Sequence, residues 1–496
     1  MPDAARITTR PEDAAAEGAQ GSLGAKVRRA VLWRSGSQIL TQIVQWGATF
    51  LVIRILSPAD YGLFAMTQVV LVFLNMLNGY GLASGLVREP HVGRREIRQL
   101  FGMLILLNGA LGLAQLALAP WAAAYYGHPQ VATMLRVQAL LYLTTPFVAL
   151  PYALLARAMD FRGQATANIA AAFASASAAL GGALAGLGVW TLVLAPLVLF
   201  AVRAVLLTRA AGSLVWPTFD FRGAGRLARY GGVMAAGQIF WFFQSQVDVF
   251  IAGARFGAHT LGLYTTALLL AQIFVSKVVP PLNDVAFSAY ARLQHDPQAL
   301  AAAFLKGVRV VMTAAMPFYL GLAVTAEPLV LGVLGTKWAE AAPLVAVIAL
   351  AMPFMTLQVL LTPACDARGR PGIGVANGAT GALILGAAFL IGVQWGPIGL
   401  AGAWVAGYPL YLAVSLWRSL PVIGARLRDV GAAVLPPVLG SIAMAAILVV
   451  IDVRVDWPSP LVRLAALVAI GALVYATWLG AFAQHLVREL VAAVRG

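Results

Sequence analysis

Asp248 is the only acidic residue well inside any of the long apolar stretches of this chain. Ionised in such a setting it needs Arg255, another basic group or water beside it; protonated, it can act as a relay. It shares its stretch with Gln238, Trp241 and Gln244, and with Phe242 and Phe243. Amides and aromatic faces together offer hydrogen bonds and stacking to a polar ligand. Near the N-terminus Gln38, Gln42 and Gln45 recur at i, i+4 and i+7, one face of a helix, and Gln68, Asn75 and Asn78 share a face in the next stretch. Each set reads either as hydrogen bonding between helices or as the lining of a wet cavity. Arg54 and Arg255 sit at matching ends of two stretches, where they either snorkel to headgroups or hold an anionic headgroup at an outer mouth. Arg34 and Arg229, at the opposite ends of the same stretches, either signal topology or receive such an anion on loading.

Other chemistries lack their residues. His91, His128, His259, His295 and His485 fall in or near connectors without metal-ligand spacing, and Cys365 is the only cysteine. No phosphate loop, nucleophile elbow or zinc motif is present, so no catalytic residue, cofactor or metal is expected. Asp452 and Asp456 read as a solvated turn.

The elements that carry these residues are apolar helices. Hydrophobic residues make up 61% of the 496 and charged residues 11%, with a mean hydropathy of +0.84, whereas soluble domains carry roughly 25% charged residues. Fourteen stretches approach the ~20 residues that cross a hydrocarbon core about 30 Å thick: 35–56, 62–87, 99–120, 137–156, 165–188, 190–209, 230–254, 261–280, 307–326, 340–362, 373–393, 397–416, 430–451 and 461–479. The fifth and sixth are parted only by a turn at Gly188–Val189, and the eighth is broken at Pro280–Pro281. Of the 34 lysines and arginines, only Arg54, Arg136, Arg255, Lys337, Arg454 and Arg463 then fall on the side away from the termini. The positive-inside rule places both termini in the cytoplasm of a bacterial inner-membrane protein. The net charge of +15 is dispersed in short clusters, so nucleic acid is not an expected partner.

The two halves carry weak similarity at a spacing near 200 residues. Gly36-Ser37-Gln38-Ile39 resembles Ala236-Gly237-Gln238-Ile239; Arg54 with Tyr61-Gly62-Leu63-Phe64 resembles Arg255 with Leu261-Gly262-Leu263-Tyr264; Pro146-Phe147 recurs as Pro353-Phe354, and Asp160-Phe161-Arg162-Gly163 as Asp366-Ala367-Arg368-Gly369. An even number of spans separates the copies, so the repeat is parallel. The expected architecture is an all-α membrane protein of two six-helix lobes plus two C-terminal helices. It divides into a flexible tail (1–30), an N-lobe (31–209), a linker (210–229), a C-lobe (230–420), and the last two helices with the C-terminus (421–496).

Ser57-Pro58-Ala59-Asp60-Tyr61-Gly62-Leu63-Phe64 resembles the L-x-P-x-D-Y-G signature of bacterial polysaccharide flippases, and Asp160-Phe161-Arg162-Gly163 sits where those proteins carry a similar turn. With the span count and the repeat, the chain resembles the multidrug, oligosaccharidyl-lipid and polysaccharide exporter superfamily, within it the colanic-acid-type exopolysaccharide subgroup. The resemblance implies alternating access, with undecaprenyl-diphosphate-linked oligosaccharide moved from the cytoplasmic to the periplasmic leaflet. It further implies coupling to an H+ or Na+ gradient, bilayer lipid as the surroundings, and the polysaccharide polymerase and chain-length machinery as partners. Flippases of better-known subgroups carry several cationic residues at mid-depth, whereas the mid-span positions here hold mainly glutamine and asparagine. Two further readings within reach are a drug:cation antiporter of the same superfamily, which Asp248 and its aromatic neighbours would suit, and a lipid-linked peptidoglycan precursor flippase. The topology predicts that single cysteines replacing His91 or Arg222 react with an impermeant maleimide in inverted vesicles and not in intact spheroplasts; labelling of either from the outer face would reject it.

Overall fold

In the computed structural model, residues 36–77, 93–212, 214–220, 242–484 and 486 are described. Among them every regular element is helical. The helices are α1 (36–55), α2 (Pro58–Asn75), α3 (Arg94–Tyr126), α4 (Pro129–Arg157), α5 (Phe161–Leu184), α6 (Trp190–Ala211), α7 (242–255), α8 (Ala258–Arg292), α9 (Pro297–Val324), α10 (Ala341–Ala367), α11 (Gly372–Gly392), α12 (Gly396–Ile423), α13 (Leu427–Arg454) and α14 (Pro460–Phe482). Ten helices among the described residues are long and apolar enough to cross a membrane, with α11 and α12 read as one stretch through the turn at Gly396. The other three of these helices are α1 and α7, which adjoin residues outside the described set, and α2, which is 18 residues long and carries Asp60 and Gln68.

Large apolar side chains point outward throughout: Trp121 is 76% exposed and Leu383 75%. Only 22% of the apolar window of α14 is buried, against 67% of that of α10. Water would not tolerate so much contiguous apolar surface, and hydrocarbon suits it. The chain is a multi-pass membrane protein.

The helix breaks have local causes. The fifth and sixth spans turn at 185–189, where Gly186 and Gly188 take φ of +74° and +53°, a region that favours glycine. The expected end of the eighth span needs correction: the helix breaks at Val278, and Pro280 and Pro281 lie in the first turn of a continuation that runs to Arg292. Proline is tolerated there because the first-turn N–H groups have no partner within the helix. Most of the connector expected after Pro281 is therefore helix. The break in α4 at Thr145 likewise precedes Pro146.

The chain divides into two compact units, Met1–Val52 with Leu77–Ala117 and Arg136–Met234, and Ile53–Met76 with Leu118–Leu135 and Ala235–Gly496. The first has cores of Leu100, Phe101 and Leu104 against Ala149, Leu150 and Ala153, and of Val148 and Leu155 against Ala167, Ala204 and Leu207. In the second, α10 packs on α8, α9 and α12, and α13 lies along α9. Tyr475 of α14 donates to the carbonyl of Thr313 at 2.9 Å. Asp452 is not in a solvated turn: it lies on α13, 2.7 Å from Arg463, which also pairs with Glu327 at 3.0 Å.

The Ser-Pro-x-Asp-Tyr-Gly sequence has a structural meaning in the second unit. Ser57 and Asp60 form a reciprocal capping box, with Ser57 Oγ accepting from Asp60 N at 3.3 Å and Asp60 Oδ2 accepting from Ser57 N at 3.0 Å, and Pro58 supplies the first turn. Gly62 lies so close to the carbonyl of Ala258 that a Cβ would overlap it, and Gly262 meets the carbonyl of Pro58 in the same way. These glycines are equivalent in the internal repeat, so the two copies of the motif meet reciprocally where α2 packs on α8. Gly62→Ala and Gly262→Ala are each expected to cost on the order of 1–3 kcal/mol through overpacking. Each should lower the melting temperature in detergent, and the double variant should fall short of the sum because both act on one contact. A single variant melting like the wild type would disprove the close approach.

Candidate functional site

The second unit holds a buried polar column. Asp248 on α7 is 0% exposed. Its Oδ2 accepts from the Tyr264 hydroxyl at 2.7 Å, and the same hydroxyl accepts from Trp404 Nε1 at 2.7 Å. Tyr264 therefore uses its single proton on the carboxylate and a lone pair on the indole. Asp248 Oδ1 is buried without a hydrogen-bond donor among the described residues. None of the ion pairs among those residues includes Asp248, and Arg255, seven residues further on, is exposed.

The column continues along α12 through Trp404, Tyr408, Tyr411, Ser415 and Ser419, residues spaced to share one helix face. Trp404 stacks on Tyr408 with centroids 5.4 Å apart and an interplanar angle of 8°. Gln244, one turn before Asp248, faces the hydroxyls of Tyr408 and Tyr411, and Gln358 Nε2 donates to Tyr411 Oη at 2.8 Å. At its far end Arg418 Nη1 donates to Asn377 Oδ1 at 2.8 Å and to Thr380 Oγ1 at 3.3 Å, and Asn377 Nδ2 donates to Ser419 Oγ at 3.2 Å.

The first unit instead holds an open polar cavity of about 230 Å³. Gln38 and Gln42 of α1 line it, with Tyr152 of α4, Phe161, Gln164 and Asn168 of α5, and Arg203 of α6. Gln164 is fixed by donating to the carbonyl of Tyr152 at 2.9 Å.

The residues singled out in the sequence are thus distributed. Gln38 and Gln42 reach the cavity, and Gln45 is half-buried on the same helix. Gln68 is half-buried and Asn75 exposed on α2, in the second unit. Gln244 and Asp248 belong to the polar column. Arg54 is exposed and its Nη1 donates to the carbonyl of Gly332 at 3.1 Å. Beside it Lys337 and Trp338 donate to the carbonyls of Ile55 and Ile53 at 2.6 and 3.0 Å, satisfying helix-end carbonyls that have no partner within α1. Desolvation lowers the pKa of Lys337, and the charge of Asp60 opposes the shift. Arg34, Asn78, Arg229, Gln238 and Trp241 lie outside the described residues. Sequence reasoning missed Tyr264, Trp404 and the tyrosines of α12, although their helical periodicity was available. It also counted Arg203 only as a topological charge, although it falls inside the sixth span.

This arrangement of helices is a fold shared with solved helical membrane proteins. The fold matches a structure of the lipid II flippase MurJ in an inward closed conformation with a TM-score of 0.74 and 13% identity, covering 92% of this chain and all of that one. It also matches an inward-facing MATE-family multidrug resistance transporter with a TM-score of 0.57 and 15% identity, covering 80% of this chain and 98% of that one. A family model described as polysaccharide biosynthesis protein matches residues 51–343, more than half of the chain, and the chain belongs to that family. Among its relatives is the succinoglycan biosynthesis transport protein ExoT of Rhizobium meliloti (strain 1021), 28% identical over 327 residues, 65% of this chain and 66% of that protein; the chain thus matches just under two thirds of that relative's length. The teichuronic acid biosynthesis protein TuaB of Bacillus subtilis (strain 168) is 23% identical over 473 residues, 92% of this chain and 95% of that protein.

Tyr264→Phe removes a donor from Asp248 and an acceptor from Trp404 at once, and each buried group left without its partner costs about 1–3 kcal/mol. Chemical unfolding in detergent should show a larger loss for Tyr264→Phe than for Trp404→Phe. The reverse order would mean that the column is not held through the tyrosine.

Proposed function

We propose that this protein translocates undecaprenyl-diphosphate-linked oligosaccharide repeat units from the cytoplasmic to the periplasmic leaflet, for exopolysaccharide or lipopolysaccharide synthesis, by alternating access. The reading rests on the family, on relatives named for succinoglycan and teichuronic acid biosynthesis, and above all on one observation. Two polar interiors, one per unit, are enclosed by helices whose outward faces are apolar. A saccharide needs hydrogen-bonding groups that the hydrocarbon cannot supply, while the prenyl tail of its carrier is at home in the bilayer.

The proposal includes fourteen spans as two six-helix lobes (31–209 and 230–420) joined by 210–229, a further helix pair within 421–496, a tail at 1–30, and both termini in the cytoplasm of a bacterial inner membrane. The polymerase and chain-length machinery would receive the product. Asp248 is the proposed coupling residue: a fully buried carboxylate without a basic partner among the described residues is neutralised by a proton or Na+ far more readily than left bare. Arg54 and Arg255 are the proposed contacts of an anionic headgroup at the outer mouth.

Proteoliposomes containing the protein and a fluorescent undecaprenyl-diphosphate oligosaccharide should expose the label to a membrane-impermeant quencher faster than protein-free vesicles, and faster than with a lipid-linked peptidoglycan precursor. Equal rates with and without protein would refute the function. An imposed proton or sodium gradient should accelerate the native protein and leave Asp248→Asn unchanged; the same response in both would remove Asp248 from coupling. Arg54→Ala combined with Arg255→Ala should slow transfer without reducing membrane insertion, and wild-type transfer would end the outer-mouth reading.

A further inference from the structure

We infer that the segment 214–220, held on the start of α3, is a binding surface for anionic phospholipid headgroups of one leaflet, the cytoplasmic one in the proposed orientation. The inference goes beyond the transport reading and does not depend on it. On this segment of the first unit Trp216 is 86% exposed and Leu214 81%, and Phe219 is exposed as well. Side chains so apolar and so far out of the fold need a partner outside it.

The backbone beneath them is pinned. Gly212, in the left-handed region at φ +55°, ends α6, and the chain then runs without regular structure along the first turns of α3. Thr218 N donates to the Arg98 carbonyl at 3.1 Å, Arg98 Nε to the Trp216 carbonyl at 2.9 Å, and Gln99 Nε2 to the Asp220 carbonyl at 2.8 Å. Gly102 lets the Thr218 carbonyl come so close that a Cβ would overlap it. Val215 packs against the core around Leu100 and Phe101, and its neighbours Leu214 and Trp216 are turned outward, the alternation of an extended chain. Their display is therefore built into the fold.

Depth and charge identify the partner. The 22 residues of α6 are about 33 Å long, close to the ~30 Å of hydrocarbon that such a helix crosses. Leu214 follows soon after the last residue of α6, Ala211, so the segment lies in the headgroup layer. Tryptophan is favoured there because its ring is apolar and its N–H polar. Arg94, Arg95 and Arg98 at the start of α3 and Arg209 in the last turn of α6 are exposed. Of these only Arg95 belongs to an ion pair among the described residues, with Asp220 at 2.9 Å, and Glu96 is the other carboxylate on these turns. A zwitterionic lipid would suit Trp216 alone. The excess of arginine beside it selects an anionic one.

The test uses the full chain in symmetric nanodiscs, which makes it independent of orientation. The matrix is phosphatidylcholine, with brominated phosphatidylglycerol or brominated phosphatidylcholine added at equal fraction. The Trp216 share of the fluorescence is the difference between the wild type and Trp216→Phe. Brominated phosphatidylglycerol should quench that share more than brominated phosphatidylcholine does, and bromine near the headgroup end of the chain more than bromine near its tip. Arg94→Gln combined with Arg209→Gln should reduce the preference for phosphatidylglycerol by about fivefold per charge removed, the equivalent of roughly 1 kcal/mol for each basic residue at such a surface. Arg454→Gln, a change at an exposed arginine on α13, should leave the preference as it is. Added salt should weaken it by screening, and this measurement decides the matter if the double variant is not monodisperse. Equal quenching by the two lipids, or a preference that neither salt nor the double variant alters, overturns the inference. So does a Trp216 share that aqueous iodide quenches and neither lipid does, which would place the segment in water and make a soluble protein its occupant. Transfer in the proteoliposome assay is read separately: its failure with the lipid preference intact defeats only the flippase.

Discussion

A hydrocarbon environment offers no hydrogen bond to a polar group, and this constraint governs how every polar side chain in the molecule is placed. In water, Asp248 could remain charged on any surface. In an apolar helix it must be turned inward and given donors, which is the role of Tyr264 and, through it, of Trp404. The same constraint orders α12, whose aromatic and hydroxyl residues keep to one face while Leu410 and Trp417 are exposed on others. It also explains why helix ends are closed by side chains, as when Lys337 and Trp338 meet the last carbonyls of α1.

The two units meet this requirement differently. In the second, Arg418 is engaged by Asn377 and Thr380. In the first, Arg203 borders an open cavity beside Asn168. Each arginine lies on a helix that also contains a proline, Pro196 in α6 and Pro409 in α12, and each is accompanied by an asparagine on the preceding helix.

The family signature illustrates how a recognisable sequence can be structural in origin. Ser57, Pro58 and Asp60 start a helix, Tyr61 packs edge-on against Trp338 with centroids 5.5 Å apart, and Gly62 admits the backbone of α8. None of these residues needs to touch a substrate. A glycine at a backbone contact and a capping box at a helix start have few substitutes.

The membrane class, the approximate positions of most spans and the turn at Gly188 were legible in the sequence, because hydropathy and glycine or proline chemistry act locally. The amide face of α1 was legible too, since helical periodicity alone brings Gln38 and Gln42 together. The partners were not. That Asp248 answers to Tyr264 and Trp404 rather than to Arg255, that Arg54 caps a distant carbonyl, that Asp452 is paired with Arg463, and that Arg203 borders a cavity all depend on which helix faces meet. Those contacts join residues far apart in the chain through packing between helices, a property that no local pattern encodes.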